Sequence, residues 1–232
     1  MKYVIEHMET SVNDWVQCEY TRIVQTCGAE NVIFSKYTFT IPFFSIFMFL
    51  VTNIHVDGRA ANMVEGENCP AYDSMKFLEG AQLVKERFLD FFQGSDKSRV
   101  CLLDEKLDVD LCPEDSDSFD FFLFGGILGN VDEMDADRTK VLRMEGYSGR
   151  KLGTEQMTTP TAVSTTRKIL HDKIKFEDLK FVDRPEFETE YEGENLILPF
   201  RYLANTEGDA IVTEGVLDIL KKDLDWDLSE LS

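Results

Sequence analysis

Short runs of continuous apolar residues alternate along the chain with longer stretches in which apolar positions recur at steps of three and four. KYVI at 2–5, NVIFS at 31–35, VCLLD at 100–104, FDFFLF at 119–124 and LKFVD at 179–183 form the first group. In VCLLD and FDFFLF the continuous apolar run, instead of strict alternation, marks a strand covered on both faces, as in a parallel sheet, and the others read as further strands. The second group predicts helices. One begins near Ser11, where S-V-N-D offers a capping box with Asp14, and stops before Gly28. Phe77, Ala81, Val84, Phe88 and Phe91 predict a helix over 73–92, closed by Gly94. Others are predicted from about Asp137, over 161–174, and at GVLDILKKD. Strands alternating with helices in this way predict an α/β domain with a mostly parallel sheet, here one domain over residues 1–232.

One segment breaks the rhythm. FTIPFFSIFMFLVTN, residues 39–53, is almost wholly apolar, but its core is only the eleven residues 41–51, and Pro42 and Ser45 interrupt it. A membrane-spanning helix needs about 20 such residues, so a span is not expected. A buried extension, a partner-binding segment and a translated intron are the readings open for it.

Charge narrows the partners. Lys and Arg number 24 against 44 Asp and Glu, a net charge of −20. Nucleic-acid binding rests on cationic side chains that neutralise phosphates, so DNA is excluded and RNA is disfavoured. The same charge attracts a basic protein. Cys18, Cys27, Cys69, Cys101 and Cys112 contain no C-x-x-C pair, and with no secretory start reduced thiols are expected. His7, His55 and His171 lie far apart, and no metal spacing or nucleophile elbow is present, so neither a metal nor a nucleophilic triad is expected.

Chemistry in an open parallel sheet sits beyond the carboxyl ends of its strands. Three segments fall there: EHMET after the first strand, GGILG after FDFFLF, and KLGTEQMTTPTA leading from a short strand into a helix. The glycine spacing G-G-x-x-G differs from the G-x-G-x-x-G of dinucleotide-binding folds and comes in the second half of the chain.

FFLFGGILGN, DRT at 137–139 and RKLGTEQMTTPTAVSTTR at 150–167, together with KYVIEHME, RVCLLD, KFVDRPEFE and LPFRY, resemble the SPOUT methyltransferases. Within them, they resemble the branch of protein arginine methyltransferases that modify a ribosomal protein of the small subunit. The resemblance implies a C-terminal deep trefoil knot and S-adenosylmethionine held in a bent shape by three loops. Carried onto this chain, the first loop is Gly125, Gly126, Ile127, Leu128 and Gly129. The second is Leu152, Gly153, Gln156 and Met157, and the third is Thr158, Thr159 and Ala162. The chain departs from the family pattern at Asn130 and Pro160, where Asp is usual, although Pro suits the first turn of a helix.

A guanidinium stays protonated, so an enzyme acting on it should present carboxylates that grip its fork. Glu6 and Glu9 are the expected catalytic pair, with Asp14, Asp137 and Glu155 as substrate-binding acids behind them. An acidic N-cap region for the first helix explains Glu6 and Glu9 equally well. The expected function is S-adenosylmethionine-dependent methylation of an arginine in a small-subunit ribosomal protein, by a cytoplasmic monomer. An RNA methyltransferase of the same fold and a non-catalytic acidic escort of a basic ribosomal protein are the competing readings.

Overall fold

A computed structural model of the chain describes residues 1–8, 11–36, 73–91, 96–126, 139–189 and 195–222. The apolar segment 39–53 lies outside them. Six strands form one sheet in the order β3-β2-β1-β5-β4-β6. They are β1 (Lys2–His7), β2 (Val32–Lys36), β3 (Gln82–Leu83), β4 (Val100–Leu103), β5 (Phe121–Gly126) and β6 (Ser148–Arg150). Every pairing in this sheet is parallel, as the continuous apolar runs predicted.

Two apolar layers cover the sheet. On one face Tyr3, Ile5, Phe34, Phe122 and Phe124 pack with Val16, Tyr20 and Ile23 of α1 (Asp14–Cys27) and Val163, Ile169 and Leu170 of α5 (Thr159–Leu170). On the other, Val4, Ile33, Leu102 and Leu123 meet Val84, Phe88 and Leu142. Phe88 begins the short α2 (Phe88–Phe91), and Leu142 belongs to α4 (Lys140–Met144). α3 (Asp115–Ser118) precedes β5, and its buried Asp115 takes a bidentate hold of Arg150 at 2.9–3.1 Å. A smaller C-terminal cluster joins Leu198, Phe200 and Tyr202 to Leu217 and Leu220. Its frame is two antiparallel pairs. β7 (Phe181–Asp183) pairs with β10 (Arg201–Leu203), and β8 (Glu186–Glu188) with β9 (Asn195–Ile197).

Three expectations need correction. The helix over 73–92 does not form. Residues 73–74 make one helical step, turns follow, β3 joins the edge of the sheet against Ile33 and Phe34, and α2 is only four residues long. Gly80 sits at φ +80°, where a helix cannot continue. The apolar spacing was real but served two layers. Ala81 packs against the first, Val84 and Phe88 join the second, and Phe77, which a single stripe would bury, is 38% exposed. The first helix is capped by Asn13, whose side chain accepts the Val16 N–H at 2.9 Å, instead of by Ser11. The helix placed at 161–174 runs from Thr159 to Leu170, with Pro160 in its first turn. Among the described residues no helix is long and apolar enough to cross a membrane.

Candidate active site

The chain builds β1, β2 and β3 outward in one direction from the centre and β5, β4 and β6 in the other. The strand order therefore reverses between β1 and β5, and in open α/β sheets ligands bind beyond the carboxyl ends of the strands at such a point. Their register pairs Glu6 with Gly125 and His7 with Gly126. Successive side chains of a strand point to opposite faces. Glu6 accordingly enters the layer of Phe88, and His7 the layer of Tyr20.

Glu6 is 1% exposed. Its Oε2 accepts the Ser35 hydroxyl and the Phe88 backbone N–H, the latter at 3.0 Å. Its Oε1 is buried with no hydrogen-bond partner among the described residues. Burial pushes this carboxyl up to about 7, against the opposing pull of those two hydrogen bonds. His7 is fully buried, its Nδ1 2.8 Å from the Tyr20 hydroxyl and its Nε2 unpartnered among the described residues. Burial, with a smaller contribution from Lys36, pulls it down to about 4, so it is neutral at physiological pH.

Gly125 and Gly126 are the last two residues of β5 and belong to the strand itself. A Cβ at Gly126 would lie 2.5 Å from the Tyr20 hydroxyl and 2.9 Å from Ile5 Cγ2. The glycine is thus required by the side chains packed beside it. Ile127, Leu128 and Gly129 lie outside the described residues, as do Asn130 and the acids Glu9 and Asp137.

The segment after β6 reaches the same strand end. Leu152 joins the apolar layer that holds Ile5, Tyr20 and Phe124. Gly153 adopts φ +73°, and a Cβ there would press to 2.8 Å from the Phe176 ring. The exposed Gln156 uses its carbonyl to accept the Arg201 N–H at 2.9 Å, and Met157 bridges to Arg201. Arg201 is itself held in a fork by Asp183 at 2.6 and 2.8 Å. Thr158 caps α5, and the Thr159 hydroxyl donates to the Gly125 carbonyl at 3.4 Å. Ala162 packs half-buried against the same layer. Sequence-chosen residues from β5 and from the start of α5 therefore meet directly. Asp14 and Glu155 are both exposed, Asp14 in the first turn of α1 where it favours the helix dipole.

Ser35, Tyr20 and the Phe88 N–H were not singled out from sequence, although they set the state of Glu6 and His7. The one sequence signal was Ser35, a polar residue closing the apolar run NVIFS. Among the described residues no group of His, Cys, Asp and Glu could hold a metal ion.

The chain is similar over its length to known proteins. Protein arginine N-methyltransferase SFM1 of Saccharomyces cerevisiae is 41% identical over 234 residues, covering 100% of this chain and 99% of that protein. The crystal structure of the yeast arginine methyltransferase SFM1 complexed with S-adenosylmethionine superposes with a TM-score of 0.71. It is 38% identical, with 96% of this chain and 90% of that chain covered. The yeast enzyme complexed with S-adenosylhomocysteine also gives 0.71, at 37% identity, covering 95% and 94%. The family model for SFM1-like protein arginine N-methyltransferases matches residues 2–41 and 60–227 and passes over 42–59, which holds most of the apolar segment. This chain belongs to the SFM1-like family of protein arginine N-methyltransferases.

Proposed function

We propose that the chain transfers a methyl group from S-adenosylmethionine to an arginine of a basic ribosomal protein of the small subunit, in the crevice beyond β1 and β5. The reading rests on family membership, on relatives of known structure holding S-adenosylmethionine and S-adenosylhomocysteine, and on a net charge of −20. The observation that carries the site assignment is the buried, unpartnered Oε1 of Glu6 at the topological switch point.

The described residues fit the cofactor. Leu152 and Met157 offer apolar side chains, Gly153 turns the segment, and α5 begins against the end of β5. When bound, S-adenosylmethionine supplies an electrophilic methyl group on a sulfonium and leaves as a neutral thioether. The chain's own part is to hold the guanidinium in line and to take the proton it loses. Glu6 accepts a guanidinium N–H at Oε1, and the arriving positive charge draws its pKa down, so that it grips as a carboxylate. As the new N–C bond forms, the nitrogen's proton passes to Oε1. In the free chain burial holds this carboxyl near 7, so its titration is read in kcat/KM. Glu6 is 1% exposed, so engagement requires the packing over Oε1 to open, while the Ser35 and Phe88 hydrogen bonds hold Oε2 in place. His7, neutral and fixed by Tyr20, positions the strand end beside Gly126. The same reading includes the SPOUT trefoil knot, a monomeric state and a cytoplasmic location.

Glu6→Gln tests the assignment, because it keeps the Ser35 and Phe88 hydrogen bonds. The expected result is a kcat lower by about 10²–10⁴-fold, loss of the kcat/KM inflection near pH 7, and S-adenosylmethionine affinity changed by less than about twofold, since no cofactor contact is removed. A variant with the wild-type rate and pH profile would remove Glu6 from the chemistry.

A further inference from the structure

At the opposite end of the sheet, a cavity of about 340 Å³ opens between the start of β1 and the ends of α1 and α5. It is lined by Met1, Tyr3, Cys27, Asn31, Arg167 and His171. We infer that this cavity is a second binding site, for a small molecule carrying one oxyanion, a phosphate monoester or a carboxylate, with Tyr3 and Arg167 as its polar contacts.

Tyr3 and Arg167 support the assignment. Tyr3 is only 3% exposed, yet its hydroxyl has no hydrogen-bond partner among the described residues. A buried polar group without a partner is costly and rare, so one that lines a cavity marks the place of a missing ligand atom. The phenol remains a donor, because burial, with Cys27 beside it, raises its pKa well above the ordinary value. Arg167 contributes the charge. Asp172 stands 3.7 Å from it, looser than a hydrogen-bonded ion pair, and the arginine side chain is 35% exposed.

The remaining lining sets the shape of the ligand. Met1 and Cys27 give apolar surface, and burial pushes the Cys27 thiol up to about 12, so it stays a neutral wall and no nucleophile. Asn31 already donates its amide to the Cys27 carbonyl at 2.9 Å and to the Glu30 carboxylate at 3.3 Å, so the oxyanion relies on Tyr3 and Arg167. The volume lies at the low end of that of small-molecule pockets, enough for one ring or a short chain beside the oxyanion. The site is separate from methyl transfer. Tyr3 and Arg167 lie at the start of β1 and the end of α5, whereas Glu6 and Thr158 lie at the end of β1 and the start of α5. In a chain of net charge −20, a pocket that selects anions must do so through local cations.

Calorimetric titration of the full chain with phenyl phosphate, benzoate and inorganic phosphate tests the inference. The expected result is one-to-one binding of phenyl phosphate or benzoate, weakened at least tenfold by Arg167→Gln, with S-adenosylmethionine affinity unchanged. Stronger binding of one probe tells whether the natural group is a phosphate or a carboxylate. Tyr3→Phe gives the second readout: it weakens the probe while leaving the melting temperature of the free protein unchanged or higher, because the hydroxyl it removes has no partner. Absence of binding by all three probes at 10 mM (a concentration of about 10 times a millimolar Kd), or equal binding by Arg167→Gln, overturns the site. Neither outcome touches the assignment of Glu6.

Discussion

Glu6 and His7 are neighbours on one strand, and burial moves them in opposite directions. Both are held neutral by the same cause, because removing water penalises whichever form is charged. The consequences for stability have opposite signs. For Glu6, raised from 4.5 to about 7, the stabilising contribution is complete below pH 4.5 and is lost as pH rises through about 7. Glu19, buried in α1 and also raised to about 7 by desolvation, behaves in the same way. For His7, lowered from 6.5 to about 4, the contribution is present above pH 6.5 and is lost as pH falls through about 4. Below pH 6.5 the histidine offsets part of the carboxyl effect, and above it the carboxyls act alone. Stability should therefore fall between pH 6 and 8, and Glu6→Gln should remove its share of that fall, about 1 kcal/mol. Thermal melts of both proteins at pH 6 and 8 check this; parallel losses in the two would contradict it. At Gly126 the question is steric. Gly126→Ala should cost about 1–3 kcal/mol through the clash with the Tyr20 hydroxyl. Tyr20→Phe in the same chain should recover part of that loss, and a double-mutant cycle showing no coupling would refute the contact.

Elements were legible in proportion to how much their own sequence determines them. The runs KYVI, NVIFS, VCLLD and FDFFLF became β1, β2, β4 and β5 because strands buried on both faces need continuous apolar character, which can be read directly. α5 was legible because Thr158, Pro160 and the apolar stripe agree. The stretch 73–92 misled because Ala81, Val84 and Phe88 carry helical spacing while Ala81 packs in one layer and Val84 and Phe88 in the other. Nothing local records that division, which depends on a strand pairing to residues about fifty positions earlier. The same holds at the site. The acids and glycines could be chosen from sequence, but that Glu6 lies against Ser35 and Phe88, 29 and 82 residues away, is a property of sheet order. Asn13 offers a local test. Its side chain caps α1 through the Val16 N–H, so Asn13→Ala should destabilise by about 1 kcal/mol, whereas Ser11→Ala should have no measurable effect. Urea unfolding of the two variants distinguishes them, and equal losses would return the cap to Ser11.

At the scale of the whole molecule, charge and the apolar segment carry the remaining expectations. The family model resumes at residue 60 after leaving off at 41, so deletion of residues 42–59 should preserve the melting temperature and methyl transfer. Sequencing of the mature transcript bears on the same segment, and its presence in the dominant message would exclude a translated intron. A net charge of −20 implies that association with a basic substrate weakens steadily as salt is raised from 50 to 500 mM, within the range where screening is strong. The most direct test of the account supplies labelled S-adenosylmethionine to the purified protein with unmethylated small ribosomal subunits, then separates protein from RNA. The account predicts label on arginine in one basic protein, abolished by Glu6→Gln. Label recovered in the RNA, or none in either fraction while the cofactor binds, would contradict it.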